Sequence, residues 1–249
     1  MKRRLRIILG FALLNFVIYP FGMLLAGAFL IMCQLKYVRV THWERFPHFK
    51  QRIILVANHP SMLDPFLISA LFFRGYLLHP LKYGPLIVAD KSNFYDSWYW
   101  FWLRPFLIPV ERGNKRAEAI SFLRIKKAID QGRVIIIFPE GGRTCRGTVF
   151  LRSKKRKKIR VLRKGVALLV AKTRATVVPV WIDGSEKFLP NSMTERLFTR
   201  LRFPKKKSIQ LKIGEPIHFG RGELQQISAK EEIMQVIANS LLQLADEDV

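Results

Sequence analysis

From position 52 onward, short runs rich in β-branched residues alternate with stretches whose apolar positions recur every three to four residues. The runs at 53–57, 86–89, 108–110, 134–138, 177–181 and 209–213 read as strands. Helical patterns lie between them, near 65–73, 115–129 and 162–172. Alternation of this kind predicts an α/β domain with a mostly parallel central sheet flanked by helices. Close to the C-terminus, Ser228-Ala229-Lys230-Glu231 has the form of a capping box, and Ile233, Val236, Ile237, Leu241 and Leu244 follow at helical spacing. An amphipathic helix packed on the domain is expected there. No internal repeat or Gly/Ser-rich linker interrupts the body.

The N-terminal stretch has a different pattern. Positions 7–35 form an uncharged run of 29 residues, long enough to reach the hydrocarbon core of a bilayer and over-long for one upright span of about 20 residues. Pro20 and Gly22 divide it, which predicts either one tilted, kinked span or two short helices forming a hairpin that dips in and returns. Basic residues flank both ends, in Met1-Lys2-Arg3-Arg4-Leu5-Arg6 and at Lys36 and Arg39. Placing both ends on the cytoplasmic side leans towards the hairpin. A cleaved signal peptide fits less well, because the apolar run continues past Ala26-Gly27-Ala28 through Phe29-Leu30-Ile31-Met32. The expected division is a membrane-anchoring segment at 1–45 and the α/β domain, with its C-terminal helix, at 46–249.

Composition narrows the partners. Lys and Arg number 43 against 18 Asp and Glu, a net charge of +25, while 49% of the residues are hydrophobic. Disorder is excluded, because disordered chains combine charge with low hydrophobicity. A folded, strongly basic protein points to phosphate-bearing partners: nucleic acid, anionic lipid or a phosphorylated small molecule. Residues 223–249 hold six acids and one lysine, whereas Arg152 to Lys164 places nine cations in 13 residues without an acid, so the basic surface belongs to the middle of the chain. The two cysteines, Cys33 and Cys145, indicate no disulfide framework. His59 has no second His or Cys at ligand spacing, so no metal is implied.

Polar residues that do chemistry on a parallel sheet follow the carboxyl ends of strands, and three clusters do so. Asn58-His59-Pro60-Ser61-Met62-Leu63-Asp64 follows the first strand. A carboxylate folding back on one imidazole nitrogen leaves the other free as a general base, although a lone His at a helix start is often only a cap. Ile108-Pro109-Val110-Glu111-Arg112-Gly113-Asn114 offers an Arg beside a helix N-terminus, either a solvated turn or a phosphate cradle. Phe138-Pro139-Glu140-Gly141-Gly142-Arg143-Thr144 holds Glu and Arg around two glycines that permit close approach of a ligand.

In this order and at these separations, the clusters resemble the glycerolipid acyltransferase family that includes the 1-acylglycerol-3-phosphate acyltransferases. His59 and Asp64 match its His-x-x-x-x-Asp motif, and Phe138 to Thr144 matches Phe-Pro-Glu-Gly-x-Arg-Ser with Gly142 and Thr144 as variants. Val177-Val178-Pro179-Val180 is similar to its fourth block, and Arg163-Lys164-Gly165-Val166-Ala167 to the helix before it. The second block departs: an aromatic or Ile, then Asp, then Arg is usual there, whereas Val110-Glu111-Arg112 stands here, preceded by Trp98-Tyr99-Trp100-Phe101-Trp102. The resemblance covers roughly residues 50–215.

It implies a membrane-bound O-acyltransferase that moves a fatty acyl group from acyl-CoA or acyl carrier protein to the free hydroxyl of lysophosphatidic acid, with no bound cofactor. Another lysophospholipid or glycerol 3-phosphate is the alternative acceptor. His59, oriented by Asp64, would take the acceptor's proton; Arg112 and Arg143 would hold its phosphate. Glu140, Gly141 and Thr144 would complete the substrate-binding loop, and Asn58 would help polarise the carbonyl. The implied location is the cytoplasmic face of an inner or endoplasmic-type membrane. The basic run, with Lys205-Lys206-Lys207, suits an anionic membrane surface at about 1 kcal/mol per cation, an acidic carrier protein, the phosphates of coenzyme A or plain solvent. Ser61 or Cys145 as nucleophile lacks the strained elbow or a distinctive setting. A tethered nucleic-acid binder leaves His59, Asp64 and the Glu140 loop without a role, so no nucleic acid is expected as partner. A non-enzymatic lipid-binding scaffold would tolerate loss of His59.

Overall fold

The computed structural model describes residues 14–46, 52–189, 209–220 and 229–248. The basic positions 1–6, Lys205 to Lys207 and Ser228 lie outside them. Among the described residues the strands are β1 Val38–Thr41, β2 Ile53–Ala57, β3 Leu86–Asp90, β4 Leu107–Val110, β5 Ile135–Ile137, β6 Phe150–Arg152, β7 Lys158–Arg160, β8 Thr176–Asp183 and β9 Ile209–Ile213. The helices are α1 Tyr19–Gln34, α2 Asp64–Ala70, α3 Phe73–Leu78, α4 Pro80–Tyr83, α5 Lys115–Asp130, α6 Gly165–Thr173, α7 Ser185–Phe188 and α8 Ala229–Asp246.

Seven strands form one sheet in the order β1-β9-β8-β2-β5-β3-β4, and β6 pairs with β7 in a separate hairpin. Among the described strands of the large sheet, the β8–β9 pairing alone is antiparallel. The mostly parallel sheet flanked by helices is thus as expected. The central β2 is buried at every position, which is why it reads as an unbroken apolar run: a strand covered on both faces has no polar side to alternate with. Its side chains divide by parity. Ile54 and Val56 join the core with residues of α5, α6 and α8; Ile53, Leu55 and Ala57 join the opposite core with Phe29 of α1 and Leu67 and Ile68 of α2.

Of the two N-terminal readings, the described residues follow the single kinked helix. Residues 14–18 form a π-helical turn that continues directly into α1, so the chain does not reverse at Pro20 and Gly22. Pro20 sits at the start of the α-helix, where its missing N–H costs little, and the chain changes from π to α register there. Residues Phe16–Gln34 form one helix long and apolar enough to cross a membrane by length and composition. Its Leu25, Phe29, Met32 and Cys33 pack on the sheet-side core, and β1 follows at once, within the stretch read as anchor, to pair with β9.

The basic run also has more order than a loop. β6 and β7 turn through Ser153 to Lys157, with Arg156 in the left-handed region. The turn is fastened to the acidic end of the chain: Asp246 accepts hydrogen bonds from the backbone N–H of Lys154 and of Lys155, each at 2.8 Å. Lys157 pairs with Asp183 at 2.6 Å, Lys164 with Glu231 at 2.6 Å, and Lys155 with Asp248.

Candidate active site

Three loops and one short helix meet beyond the carboxyl ends of β2, β4, β5 and β8. β2 delivers His59, and the turn Pro60 to Leu63 brings Asp64 to the first turn of α2. The Nδ1 atom of His59 lies 2.8 Å from Oδ2 of Asp64. A neutral imidazole donating Nδ1–H to this carboxylate keeps Nε2 as its acceptor. The ring stacks on Phe138 at 4.3 Å between centroids, which fixes its plane.

Asp64 is fully buried and fully partnered. Oδ2 also accepts from the Ser61 backbone N–H at 2.7 Å, and Oδ1 accepts from Ser185 Oγ at 2.5 Å. Burial pushes its carboxyl above the ordinary aspartate value, while the bonds from His59, Ser185 and Ser61 pull the other way. Ser185, itself buried at the start of α7, is a functional candidate that sequence reasoning missed.

Glu140 is buried as well, and its Oε1 accepts from the His59 backbone N–H at 2.8 Å and Thr144 Oγ1 at 2.7 Å. Oε2 accepts from the Arg160 backbone N–H at 2.9 Å. Burial again raises the carboxyl, against these hydrogen bonds. Glu140 therefore clamps the His59 loop, its own loop and β7 together, with Thr144 bracing it. Both stand behind the wall of the cavity described below, while Gly141 and Arg143 form part of that wall. Gly141 has φ +69°, and a Cβ there would lie 2.1 Å from Nε of Arg163; only glycine meets both conditions.

The expectation for Asn58 changes. The amide of Asn58 is used at both ends, donating to the Ile182 carbonyl at 2.8 Å and accepting from its N–H at 2.7 Å, so it ties β2 to β8 instead of facing a carbonyl carbon. Ser61 is buried and donates to the Leu189 carbonyl, which leaves it no role as nucleophile. Cys145 is exposed.

His59 opens onto a cavity of about 400 Å³ that runs from the sheet edge to α1. One end is apolar, walled by Ile18, Gly22, Phe66, Trp102 and Phe106; the other carries Arg112, Arg143 and Arg146. Glu111 is taken up by Lys91 at 2.8 Å, which leaves Arg112 to the cavity. Burial lowers the Arg112 guanidinium pKa and the neighbouring charges of Arg163 and Arg160 lower it further, against the carboxylates of Asp90 and Glu118, which raise it. Arg160 and Arg163 come from the basic hairpin and the link after it, and lie against Gly142 and Gly141. Among the described residues no carboxylate pairs with Arg112, Arg146, Arg160 or Arg163. Crowded cations that outnumber the nearby acids Asp90 and Glu118 make an anion site. Arg160 was legible only as a member of a charged run.

The profile of the acyltransferase family matches residues 37–183, more than half of the chain. The chain belongs to the acyltransferase family. Among its relatives are a probable 1-acyl-sn-glycerol-3-phosphate acyltransferase of Mycoplasma pneumoniae, 29% identical over 120 residues, which cover 48% of this chain and 42% of that one. A 1-acyl-sn-glycerol-3-phosphate acyltransferase of Chlamydomonas reinhardtii is 25% identical over 157 residues, 62% of this chain and 41% of the relative. The chain thus spans less than half of either relative's length. The crystal structure of the 1-acyl-sn-glycerophosphate acyltransferase PlsC from Thermotoga maritima aligns with a TM-score of 0.61 at 19% identity, covering 94% of this chain and 82% of that one. This likeness shows that the acyltransferase fold extends over nearly the whole molecule.

Proposed function

We propose that this protein transfers a fatty acyl group from a thioester, acyl-CoA or acyl carrier protein, to the free hydroxyl of lysophosphatidic acid, forming phosphatidic acid at the cytoplasmic face of a membrane. The observation that carries this reading is that one cavity joins the His59–Asp64 pair to an apolar compartment on one side and an arginine rim on the other. A single-chain lysophospholipid with a phosphate monoester has these two ends. The relatives named for lysophosphatidic acid as acceptor agree with it.

In the reaction, Nε2 of His59 takes the proton of the acceptor hydroxyl as its oxygen bonds to the thioester carbonyl carbon. The tetrahedral adduct collapses, the carbon–sulfur bond breaks, and the imidazolium returns its proton to the leaving thiolate. Asp64 holds the ring and stabilises the imidazolium. Arg112 and Arg143 bind the acceptor phosphate, for which a guanidinium fork is suited, and Gly141 lets it approach. Glu140 and Thr144 support that loop.

The test uses purified, detergent-solubilised protein. Free thiol release from acyl-CoA and from acyl carrier protein is followed with and without lysophosphatidic acid, and phosphatidic acid is identified by mass spectrometry. Acceptor-dependent release with matching product is expected. Folded protein that shows none with either donor contradicts the reading.

A further inference from the structure

The aromatic run that departs from the family pattern takes no part in the chemistry above. Residues Trp98–Phe106 form a 3₁₀ helix, in which positions three apart eclipse one another. The eclipsed set Trp98, Phe101 and Arg104 faces outwards, with 79% of Trp98 and 51% of Phe101 exposed. Trp100 turns the other way, with 7% exposed, and packs on Phe66 and Phe94. Trp102 lies against Phe21 of α1, 4.0 Å between ring centroids. The inner residues Trp100, Trp102 and Phe106 form cavity wall.

The turn of α1 that meets Trp102 also meets α3. Gly22 approaches Tyr76 so closely that a Cβ would lie 1.9 Å from the ring, and the Tyr76 hydroxyl donates to the Ile18 carbonyl. Beside Tyr76, Leu77 and Leu78 are exposed, as are Met23 and Leu24 of α1. Exposed apolar side chains from three elements therefore flank one end of the cavity, more than a soluble surface ordinarily carries. Tryptophan is enriched where bilayer meets water, and Arg keeps its charge in the headgroups while its stem lies deeper. A net charge of +25 attracts an anionic leaflet and repels a second copy of the chain.

We propose that Trp98 and Phe101 insert into the lipid–water interface beside α1, as a second point of attachment that seats the apolar end of the cavity on the leaflet supplying its lipids. This rests on the reading of the cavity as a lipid site. The inner face of the segment is wall and its outer face is anchor, so docking and the opening to lipid are set by one short element.

The full chain is reconstituted into vesicles of phosphatidylcholine and phosphatidylglycerol, with and without lipids brominated high on the acyl chain. The emission of Trp98 is obtained as the difference between wild type and Trp98→Phe. Quenching of that component by bromolipid and its protection from aqueous iodide are expected; a component open to iodide and indifferent to bromolipid overturns the proposal, as does a dimer in solution that Trp98→Ser/Phe101→Ser dissolves. This arm needs no turnover, so its failure is separate from failure of the proposed activity. In a second arm, the double variant is expected to raise KM for vesicle-borne lysophosphatidic acid about tenfold or more and to leave turnover of a monomeric short-chain acceptor unchanged. Equal loss on both acceptors means a damaged cavity wall, and it too overturns the proposal.

Discussion

The His59 loop and the arginine rim belong to one cavity and are built on opposite plans. Around His59 the polar atoms are matched: both oxygens of Asp64 and both of Glu140 accept hydrogen bonds from named donors. On and beside the rim, Arg112, Arg146, Arg160 and Arg163 form no close ion pair among the described residues, and Asp90 and Glu118 offset only part of their charge at Arg112. The first arrangement fixes the direction of one nitrogen and resists change. The second keeps an excess of positive charge until an anion arrives, so its free energy goes into binding. Base and anchor are thus separable, and variants of each should fail in different ways.

The largest effect is expected from His59→Ala, which should lower kcat for acyl transfer by about 10²–10⁴-fold with KM and the circular dichroism spectrum little changed. Arg112→Gln should do the reverse: loss of a charge-assisted contact of about 1.5–3 kcal/mol raises KM for lysophosphatidic acid about ten- to a hundredfold and leaves kcat near wild type. If both variants lose the same kinetic parameter, the separation fails. Ser185→Ala strips one buried oxygen of Asp64 of its donor and should destabilise the fold by about 1–3 kcal/mol, measured by urea unfolding, while moving the acid limb of the kcat profile. A shift in stability alone would make Ser185 a packing residue.

A smaller effect is expected on the pH dependence of stability. Burial raises Asp64, so the folded state holds its proton to higher pH than the unfolded state. Such a group contributes fully below its unfolded value of about 4, and that contribution is lost as pH rises through the folded value. Asp64→Asn removes this term, so the stability of the variant relative to wild type should climb from about pH 4 upwards. A flat difference contradicts the assignment. Least of all should change in Lys155→Ala, whose partner Asp248 is almost fully exposed: no measurable shift in Tm is expected.

The same contrast governs what the chain alone reveals. β2 and β8 are legible because a strand buried on both faces must be apolar throughout, and the His59–Asp64 pair because its partners are five residues apart. Ser185 reaches Asp64 across 121 positions, so no local pattern announces it. Half of the side chains of β6 and β7 are charged, and a two-stranded hairpin with one buried residue, Ile159, has no apolar alternation to read. β1 is concealed because it follows the apolar helix almost without a break. Of the two readings left open at Pro20, the hairpin does not form, because proline near the beginning of a helix is no breaker.

The central claim is that the acceptor hydroxyl itself attacks the thioester, with His59 as base and no acyl-enzyme between. Rapid mixing of the wild type with acyl-CoA before any acceptor is added tests it most directly. Thiol release should stay at background until lysophosphatidic acid arrives, and the intact mass of the protein should be unchanged. A burst of thiol equal to the enzyme present, with an acyl adduct on the chain, would contradict the account.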